Sequence, residues 1–197
     1  MYGLFRLFTH LGDSAFLLPL SIVIVALLTY QSYSMGVRLG FVIAADLVLT
    51  FLLKLWFYAF GGSTHLNILS PSGHASFSVA LYGCCAVVFA NKRDLGERVL
   101  IIGIALIIVL TIIASRIVLH LHTPEEAILG SLVGGVCVAA FSAGGSRLQR
   151  LQLRLPIWFL VVLMIGTMSA WAVGRRIHTE RLIEHWGVMM GSVWDES

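Results

Sequence analysis

The sequence has 197 residues, of which 58% are hydrophobic and only 12% are charged. These proportions, with a mean hydropathy of +0.93, exclude an ordinary soluble domain and predict a membrane protein. The formal net charge of +3 does not indicate nucleic-acid binding, because the basic residues lie in short connections between apolar segments rather than along one face.

Six apolar segments follow one another along the chain. Segments of about 20 residues can cross the hydrocarbon core, where the backbone must satisfy its own hydrogen bonds, so each segment is predicted to be an α-helix. The predicted helices cover residues 14–30, 37–60, 74–91, 98–118, 124–142 and 155–173. The predicted fold class is therefore all-α, a polytopic membrane protein with about six transmembrane helices.

The first thirteen residues, MYGLFRLFTHLGD, mix apolar side chains with Arg6 and His10. This mixture is typical of a short interfacial helix, with disorder as the alternative. The segment lacks the ordered basic, apolar and small-residue regions of a signal peptide. The first predicted transmembrane helix is therefore expected to be retained.

The basic residues divide unequally between two sets of connections. Seven lie in the stretches QSYSMGVR, NKRDLGER and GGSRLQRLQLR. Four lie in the N-terminal segment and after residue 174, where they are Arg6, Arg175, Arg176 and Arg181. The positive-inside rule therefore predicts that the first set is cytoplasmic and that both termini lie outside.

Polar residues gather at the helix ends predicted to face the non-cytoplasmic side. They are Lys54 late in the second helix, SPSGH at 70–74, Ser115-Arg116, and HLHTPEE at 120–126. Ionisable residues in membrane segments are costly and are functional candidates by default. Four segments that bring basic, histidine and carboxylate side chains to one end of the bundle therefore predict a site there.

The residue types in this group suit an anion. Lys54 and Arg116 supply positive charge, the arginine through a planar fork that can bind two oxygens at once. Ser72 and Gly73 stand where a helix is predicted to start, so backbone N–H groups face an incoming anion and glycine permits its close approach. The histidines of the second and fourth segments supply a nucleophile or a base, which a nearby carboxylate can orient.

The motifs PSGH at 71–74 and Ser115-Arg116, followed after five residues by His122, resemble the second and third motifs of the type 2 phosphatidic acid phosphatase superfamily. That superfamily includes lipid phosphate phosphatases, undecaprenyl diphosphate phosphatases and lipid A phosphatases. PSGH alone is a moderately specific signal, but both motifs at the ends of the expected helices form a strong one. The matching motifs span residues 54–126, and the six-helix layout extends the resemblance over nearly the whole chain.

The resemblance implies a role for each matching residue. His122 corresponds to the histidine that attacks phosphorus and forms a phosphohistidine, and His74 corresponds to the general acid that protonates the leaving group. Glu126 stands where the family has an aspartate that orients the nucleophile. The groups that hold the phosphoryl oxygens correspond to Lys54, Ser72, Gly73 and Arg116. No cofactor and no metal are implied, because the cationic groups offset the developing charge.

The first motif of the family departs from its usual pattern in this chain. It is a lysine, six residues and then Arg-Pro, and counting from Lys54 those two positions hold Gly61 and Gly62. Either the backbone N–H groups around these glycines replace the missing arginine, or Arg175 or Arg176 reaches in from the tail, or phosphate binds more weakly. We expect one of the two arginines to point into the site, because both follow the sixth predicted helix on the same side of the membrane.

Glu126 is predicted to have one of two roles. It keeps the charge of the family's aspartate but is one methylene longer, so it can orient His122 in a different way. Thr123, Pro124 and Glu126 also have the spacing of a capping box. The carboxylate is thus expected either to orient the histidine or to cap the fifth helix.

Several of these residues have simpler alternative roles. Lys54 alone could extend from a helix end toward the interface. Ser70 or Ser72 is expected to cap the third helix as well as to contact phosphate. His120 and His122 have a spacing that suggests zinc, but zinc needs three or four ligands, so no metal site is expected.

The cysteines and the C-terminal tail are predicted to carry no chemistry. Cys84, Cys85 and Cys137 lie inside apolar segments without CxxC spacing, so they are expected to be buried thiols rather than disulfides or metal ligands. The tail RRIHTERLIEHW is predicted to be an amphipathic interfacial helix or a lid near the site.

Together these features predict a lipid phosphatase in which residues 1–197 form a single integral membrane domain. Its substrate is expected to be a polyprenyl or glycerolipid phosphomonoester or diphosphate, hydrolysed at the outer face of a bacterial inner membrane. The alternative is a non-catalytic protein that binds or transports lipid phosphates. The missing arginine favours that alternative, and the retention of both histidines counts against it. The sequence leaves the lipid and the oligomeric state open.

Overall fold

A computed structural model describes residues 12–60, 70–91 and 93–144. In these ranges the regular structure consists of α1 Ser14–Gln31, α2 Tyr33–Phe60, α3 Gly73–Ala90, α4 Leu95–Val118 and α5 Pro124–Ala143. All five helices are long and apolar enough to cross a membrane. The predicted all-α polytopic fold is confirmed. The sixth predicted helix, the tail and the first eleven residues lie outside the described ranges.

The connection between α1 and α2 is much shorter than predicted. α2 begins at Tyr33 rather than at residue 37, and Ser32 alone separates the two helices. The Ser32 N–H donates to the Leu28 carbonyl, and the Gly36 N–H donates to the Ser32 carbonyl at 3.0 Å. A Cβ at Gly36 would overlap the backbone of Thr29. A glycine at this position therefore lets the two helices meet without a loop.

The α1–α2 hairpin is antiparallel and uneven in length. Gly36 faces Thr29, and one turn further along α2 Gly40 faces Val25. α2 has 28 residues and α1 has 18. Because they share a tight turn at one end, the last turns of α2 extend past the start of α1 at the other.

α4 begins at Leu95, three residues before the predicted start at residue 98, because its first turn is polar and was not recognised as helical. The Asp94 carboxylate accepts a hydrogen bond from the Glu97 N–H at 2.8 Å and caps the helix. Glu97 in turn pairs with Arg93 at 3.1 Å. Residues 95–97, expected in a connection, are thus the first turn of α4, ahead of its apolar part.

The helix with the largest buried share is α3, and α5 packs closely along it. A Cβ at Gly130 would overlap the Ser72 carbonyl, and a Cβ at Gly134 would overlap the Ser76 carbonyl. Glycines four residues apart give a membrane helix a flat face on which another backbone can lie. Both contacts run in the same chain direction, so α3 and α5 are parallel and both begin at the same end of the bundle.

This packing decides which residues meet. α2 runs antiparallel to α3, since Lys54 lies beside Gly73 whereas the earlier residue Asp46 bonds to Ser76. The end of α2, the start of α3, the end of α4 and the start of α5 therefore share one end of the bundle. We call it the reactive end. The four predicted polar segments all belong to it.

Candidate active site

The first turn of α3 forms one wall of the reactive end. Ser72 is the N-cap, and its hydroxyl accepts a hydrogen bond from the Ala75 N–H at 3.4 Å. Lys54 is only 6% exposed, and its Cε lies 3.6 Å from the position that a Cβ would occupy at Gly73. A buried ammonium group thus stands beside a helix N-terminus, and both favour an anion.

The end of α4 explains the spacing between Arg116 and His122. The Leu121 N–H donates to the Arg116 carbonyl at 3.0 Å, and the His120 N–H donates to the Ile117 carbonyl at 3.0 Å. These are the two bonds of a Schellman motif, whose residue after the C-cap is left-handed. His120 occupies that position with φ 53°. The His122 N–H then reaches the same Arg116 carbonyl at 3.4 Å, so this turn holds the His122 backbone against the end of α4.

The side chains of His122 and Glu126 form a close pair. His122 Nδ1 lies 2.8 Å from Glu126 Oε2, and the two side chains are 7% and 5% exposed. The same carboxylate oxygen accepts the Thr123 N–H at 3.2 Å, while Thr123 Oγ1 accepts the Glu126 N–H at 3.3 Å. Both predicted contacts of Glu126 are therefore present at once, the capping box and the bond to the histidine.

Glu126 also joins α5 to the segment that precedes α3. Its second oxygen, Oε1, accepts the Ser70 N–H at 3.2 Å. Its carbonyl accepts the Ser72 N–H at 3.0 Å. One residue therefore ties His122 to the two serines of the SPSGH motif.

The predicted site residues fall into two groups. Those at the reactive end within the described ranges are Lys54, Ser72, Gly73, His74, Arg116, His122 and Glu126. Arg116 is 7% exposed, and His74 is half-buried in the first turn of α3. The candidates for replacing the missing arginine lie outside the described residues; they are Gly61, Gly62, Arg175 and Arg176.

His120 differs from His122 in its surroundings. It is exposed, whereas the His122 side chain is enclosed. Across the ranges 12–60, 70–91 and 93–144, no three His, Cys, Asp or Glu side chains are grouped so that they could hold a metal ion. Cys84, Cys85 and Cys137 are free thiols within helices.

A polar stripe on α2 was missed in the sequence. It consists of Asp46, Thr50, Lys54 and Tyr58, every fourth residue of an apolar helix. Such spacing puts all four on one face, and that face meets the start of α3. Tyr58 donates to Ser70 Oγ at 3.5 Å, and Thr50 donates to Ser76 Oγ at 3.1 Å. Lys54 alone was recognised because it alone carries a family motif, although the fourfold repeat was visible.

Comparison with known families finds a similarity over about half of the chain. The family model of the PAP2 superfamily matches residues 56–150. This range contains PSGH, Ser115-Arg116, His122 and Glu126, and begins two residues after Lys54. No curated protein and no solved structure gave a match. The family match confirms the resemblance inferred from the motifs.

Proposed function

Since residues 56–150 match the family model of the PAP2 superfamily, whose members are generally phosphatases that act on phosphate esters, we propose that this protein hydrolyses the phosphate ester or diphosphate of a membrane lipid. The observation that carries the proposal is the enclosed His122–Glu126 pair, 2.8 Å apart, at the end of the bundle that also holds Lys54 and Arg116. A nucleophile and an anion site on one membrane-embedded end suit a substrate with an apolar tail and a charged head.

The contact to Glu126 supports His122 as the nucleophile. An ionised carboxylate only accepts hydrogen bonds, so it favours the tautomer of His122 whose proton is on Nδ1. That tautomer leaves a lone pair on Nε2. The Nε2 lone pair forms a bond to phosphorus while the bond from phosphorus to the leaving oxygen breaks.

His74 completes the proposed reaction by moving protons. It gives a proton to the leaving oxygen in the first step, and the dephosphorylated product departs. In the second step His74 takes a proton from water, whose oxygen attacks phosphorus and breaks the bond to His122. Phosphate leaves and both histidines return to their starting states. Lys54, Arg116, Ser72 and the backbone at Gly73 hold the phosphoryl oxygens throughout.

An assay of full-length protein in detergent tests the proposal against its alternative. Suitable substrates are undecaprenyl diphosphate, phosphatidic acid, phosphatidylglycerol phosphate and lipid A, each with and without EDTA. Release of inorganic phosphate from at least one lipid, unchanged by EDTA, is expected. Binding of these lipids without any phosphate release would instead indicate the non-catalytic binding or transport protein that the missing arginine suggests.

Replacement of Glu126 by glutamine tests its role behind His122. Glu126→Gln keeps one oxygen, which can accept the hydrogen bonds from Thr123 and His122, but it removes the negative charge and places an NH2 group against the Ser70 N–H. We expect kcat to fall by about 10–100-fold, the usual cost of losing a carboxylate behind a functional histidine, and the melting temperature to fall because the bond from Ser70 is lost. A lower melting temperature with a wild-type kcat would contradict an orienting role.

The proposed orientation places the reactive end on the outer face of a bacterial inner membrane. In a background without native cysteines, an impermeant thiol reagent added to intact cells should label His120→Cys at the reactive end. It should not label Leu95→Cys at the start of α4 until the membrane is opened. Both positions are exposed in the structure. The opposite labelling pattern would invert the topology.

A further inference from the structure

Asp46 is a carboxylic acid within the span of α2, and it has no solvent exposure. The reaction proposed above does not use it. We propose that Asp46 is a positioning residue of the phosphate site: through Ser76 it holds the first turn of α3 against α2, so that Lys54 and the N-terminus of α3 meet at one anion. This inference rests on the proposed function.

The contacts of Asp46 link three helices. Its Oδ1 accepts a hydrogen bond from Ser76 Oγ at 2.6 Å, and Thr50 Oγ1 donates to the same serine oxygen at 3.1 Å. The thiol of Cys137 in α5 also faces the carboxylate. Asp46 therefore binds the side of α3 that faces α2, close to where α5 packs.

Ser76 transmits this contact to the site. Its N–H donates to the Ser72 carbonyl at 3.0 Å, the bond that closes the first turn of α3. Gly73 lies inside that turn, with Lys54 and Thr50 against it. A shift of Ser76 would move Ser72 and Gly73 relative to Lys54. The Lys54 side chain and the N-terminus of α3 can bind the same phosphate only if the distance between them is held to within a fraction of an ångström.

The cost of burying Asp46 argues against packing as its sole role. A carboxylate in a membrane helix is expensive, and helices can pack through apolar contacts or small residues without that cost. Without Asp46, the Ser76 and Thr50 hydroxyls can still bond to each other and to carbonyls of their own helices, so they need not be left without partners. A leucine at position 46 would thus be expected to keep the bundle together while it releases the first turn of α3.

The test measures binding of orthovanadate, a phosphate analogue, by the full-length protein in detergent, with melting temperature and helical content recorded for each variant. Asp46→Leu and Ser76→Ala should each raise the vanadate Kd by tenfold or more. Asp46→Asn, whose amide oxygen can still accept from Ser76, should stay within about threefold of wild type. Because both residues act through one bond, the double variant Asp46→Leu/Ser76→Ala should be no worse than either single change.

Ser142→Ala is the matched control, since the hydrogen bond that its hydroxyl donates among the described residues goes to the Val138 carbonyl of its own helix, at 2.8 Å near the far end of α5. It should leave the vanadate Kd unchanged. Wild-type Kd values in Asp46→Leu or Ser76→Ala, equal losses in Asp46→Asn and Asp46→Leu, or additive losses in the double variant would overturn the proposal. If Asp46→Leu does not fold, Ser76→Ala and Asp46→Asn give the answer.

The two hypotheses can fail separately. Wild-type protein that binds vanadate but releases no phosphate from any lipid would overturn the proposed function, and the binding series would still test Asp46. Wild-type protein that releases phosphate but binds no vanadate would overturn the Asp46 proposal and leave the proposed function standing.

Discussion

Replacing His122 by alanine is expected to abolish phosphate release, whereas replacing His120 by alanine should leave most of it. Loss of a catalytic nucleophile commonly lowers kcat by many orders of magnitude, and we expect a fall of at least about 10³-fold. His120, two residues away, should tolerate the change because its side chain is exposed. The contrast tests which member of the His-x-His pair carries the chemistry.

The physical reason lies in what each histidine contacts. The His122 ring is paired with Glu126 at 2.8 Å and is enclosed. His120 instead fills the left-handed position that ends α4, with φ 53°, a conformation that glycine adopts without strain. His120→Gly should therefore be at least as stable as wild type, and is the better-folded control for loss of this imidazole.

His122→Ala and His120→Gly should be assayed for phosphate release. After a rapid quench, they should also be assayed for an acid-labile phosphorylated form of the protein. Wild type and His120→Gly should give the phosphorylated protein, and His122→Ala should not. A phosphorylated His122→Ala protein, or an inactive but folded His120→Gly protein, would show that the nucleophile has been assigned to the wrong residue.

Adding one methyl group at Gly134 is expected to destabilise the bundle strongly, while the same change at Gly135 is not. A Cβ at Gly134 would overlap the Ser76 carbonyl, whereas a Cβ at Gly135 meets nothing within 4 Å. Overpacking of this kind costs about 1–3 kcal/mol. In Gly135→Ala the alanine instead gains up to about 1 kcal/mol of helix propensity.

The buried thiols offer a direct measurement of this difference. Cys84 and Cys137 are buried, so a thiol-reactive dye reports unfolding as the detergent-solubilised protein is heated. Gly134→Ala should melt at a lower temperature than wild type, and Gly135→Ala at the same or a higher one. Equal melting temperatures for the two variants would mean that α3 and α5 are not packed backbone to backbone.

Much of the fold could be predicted because hydropathy reports membrane spans directly. The errors occurred where polar residues are helical. Tyr33 and Ser34 belong to α2 because Gly36 permits a turn through one residue, and Glu97 belongs to α4 because Asp94 caps it. Apolar segments show which residues lie in the hydrocarbon core. A helix can continue into polar residues beyond that core, as α4 does where Asp94 caps its first turn.

The site residues that belong to family motifs could be predicted from the sequence, and the contacts between distant segments could not. The pairing of Glu126 with His122 follows from the capping box, because the Glu126 side chain turns back over the start of α5 to the Thr123 N–H and so reaches His122, the residue before the N-cap. The link from Glu126 to Ser70 joins residues 56 apart in the chain, and no local pattern indicates it. The fourfold spacing of Asp46 and Lys54 was visible in the sequence, but the bond from Ser76 to Asp46 was not, because the two residues lie on different helices and only the packing of α2 on α3 brings them together.

The unequal hairpin of α1 and α2 has a consequence for the direction of the proposed reaction. α2 exceeds α1 by ten residues, about 15 Å of helix, and this overhang carries Trp56 with its ring 5.0 Å from that of Phe57. Aromatic side chains of this kind collect at the level of lipid headgroups, and these two follow Lys54 by two and three residues. Hydrolysis at that depth would divide the products between two solvents: inorganic phosphate enters water and is diluted, while the lipid stays in the bilayer. The fall in phosphate concentration would oppose the reverse of the proposed reaction, so that a site at this depth would help to drive turnover forward.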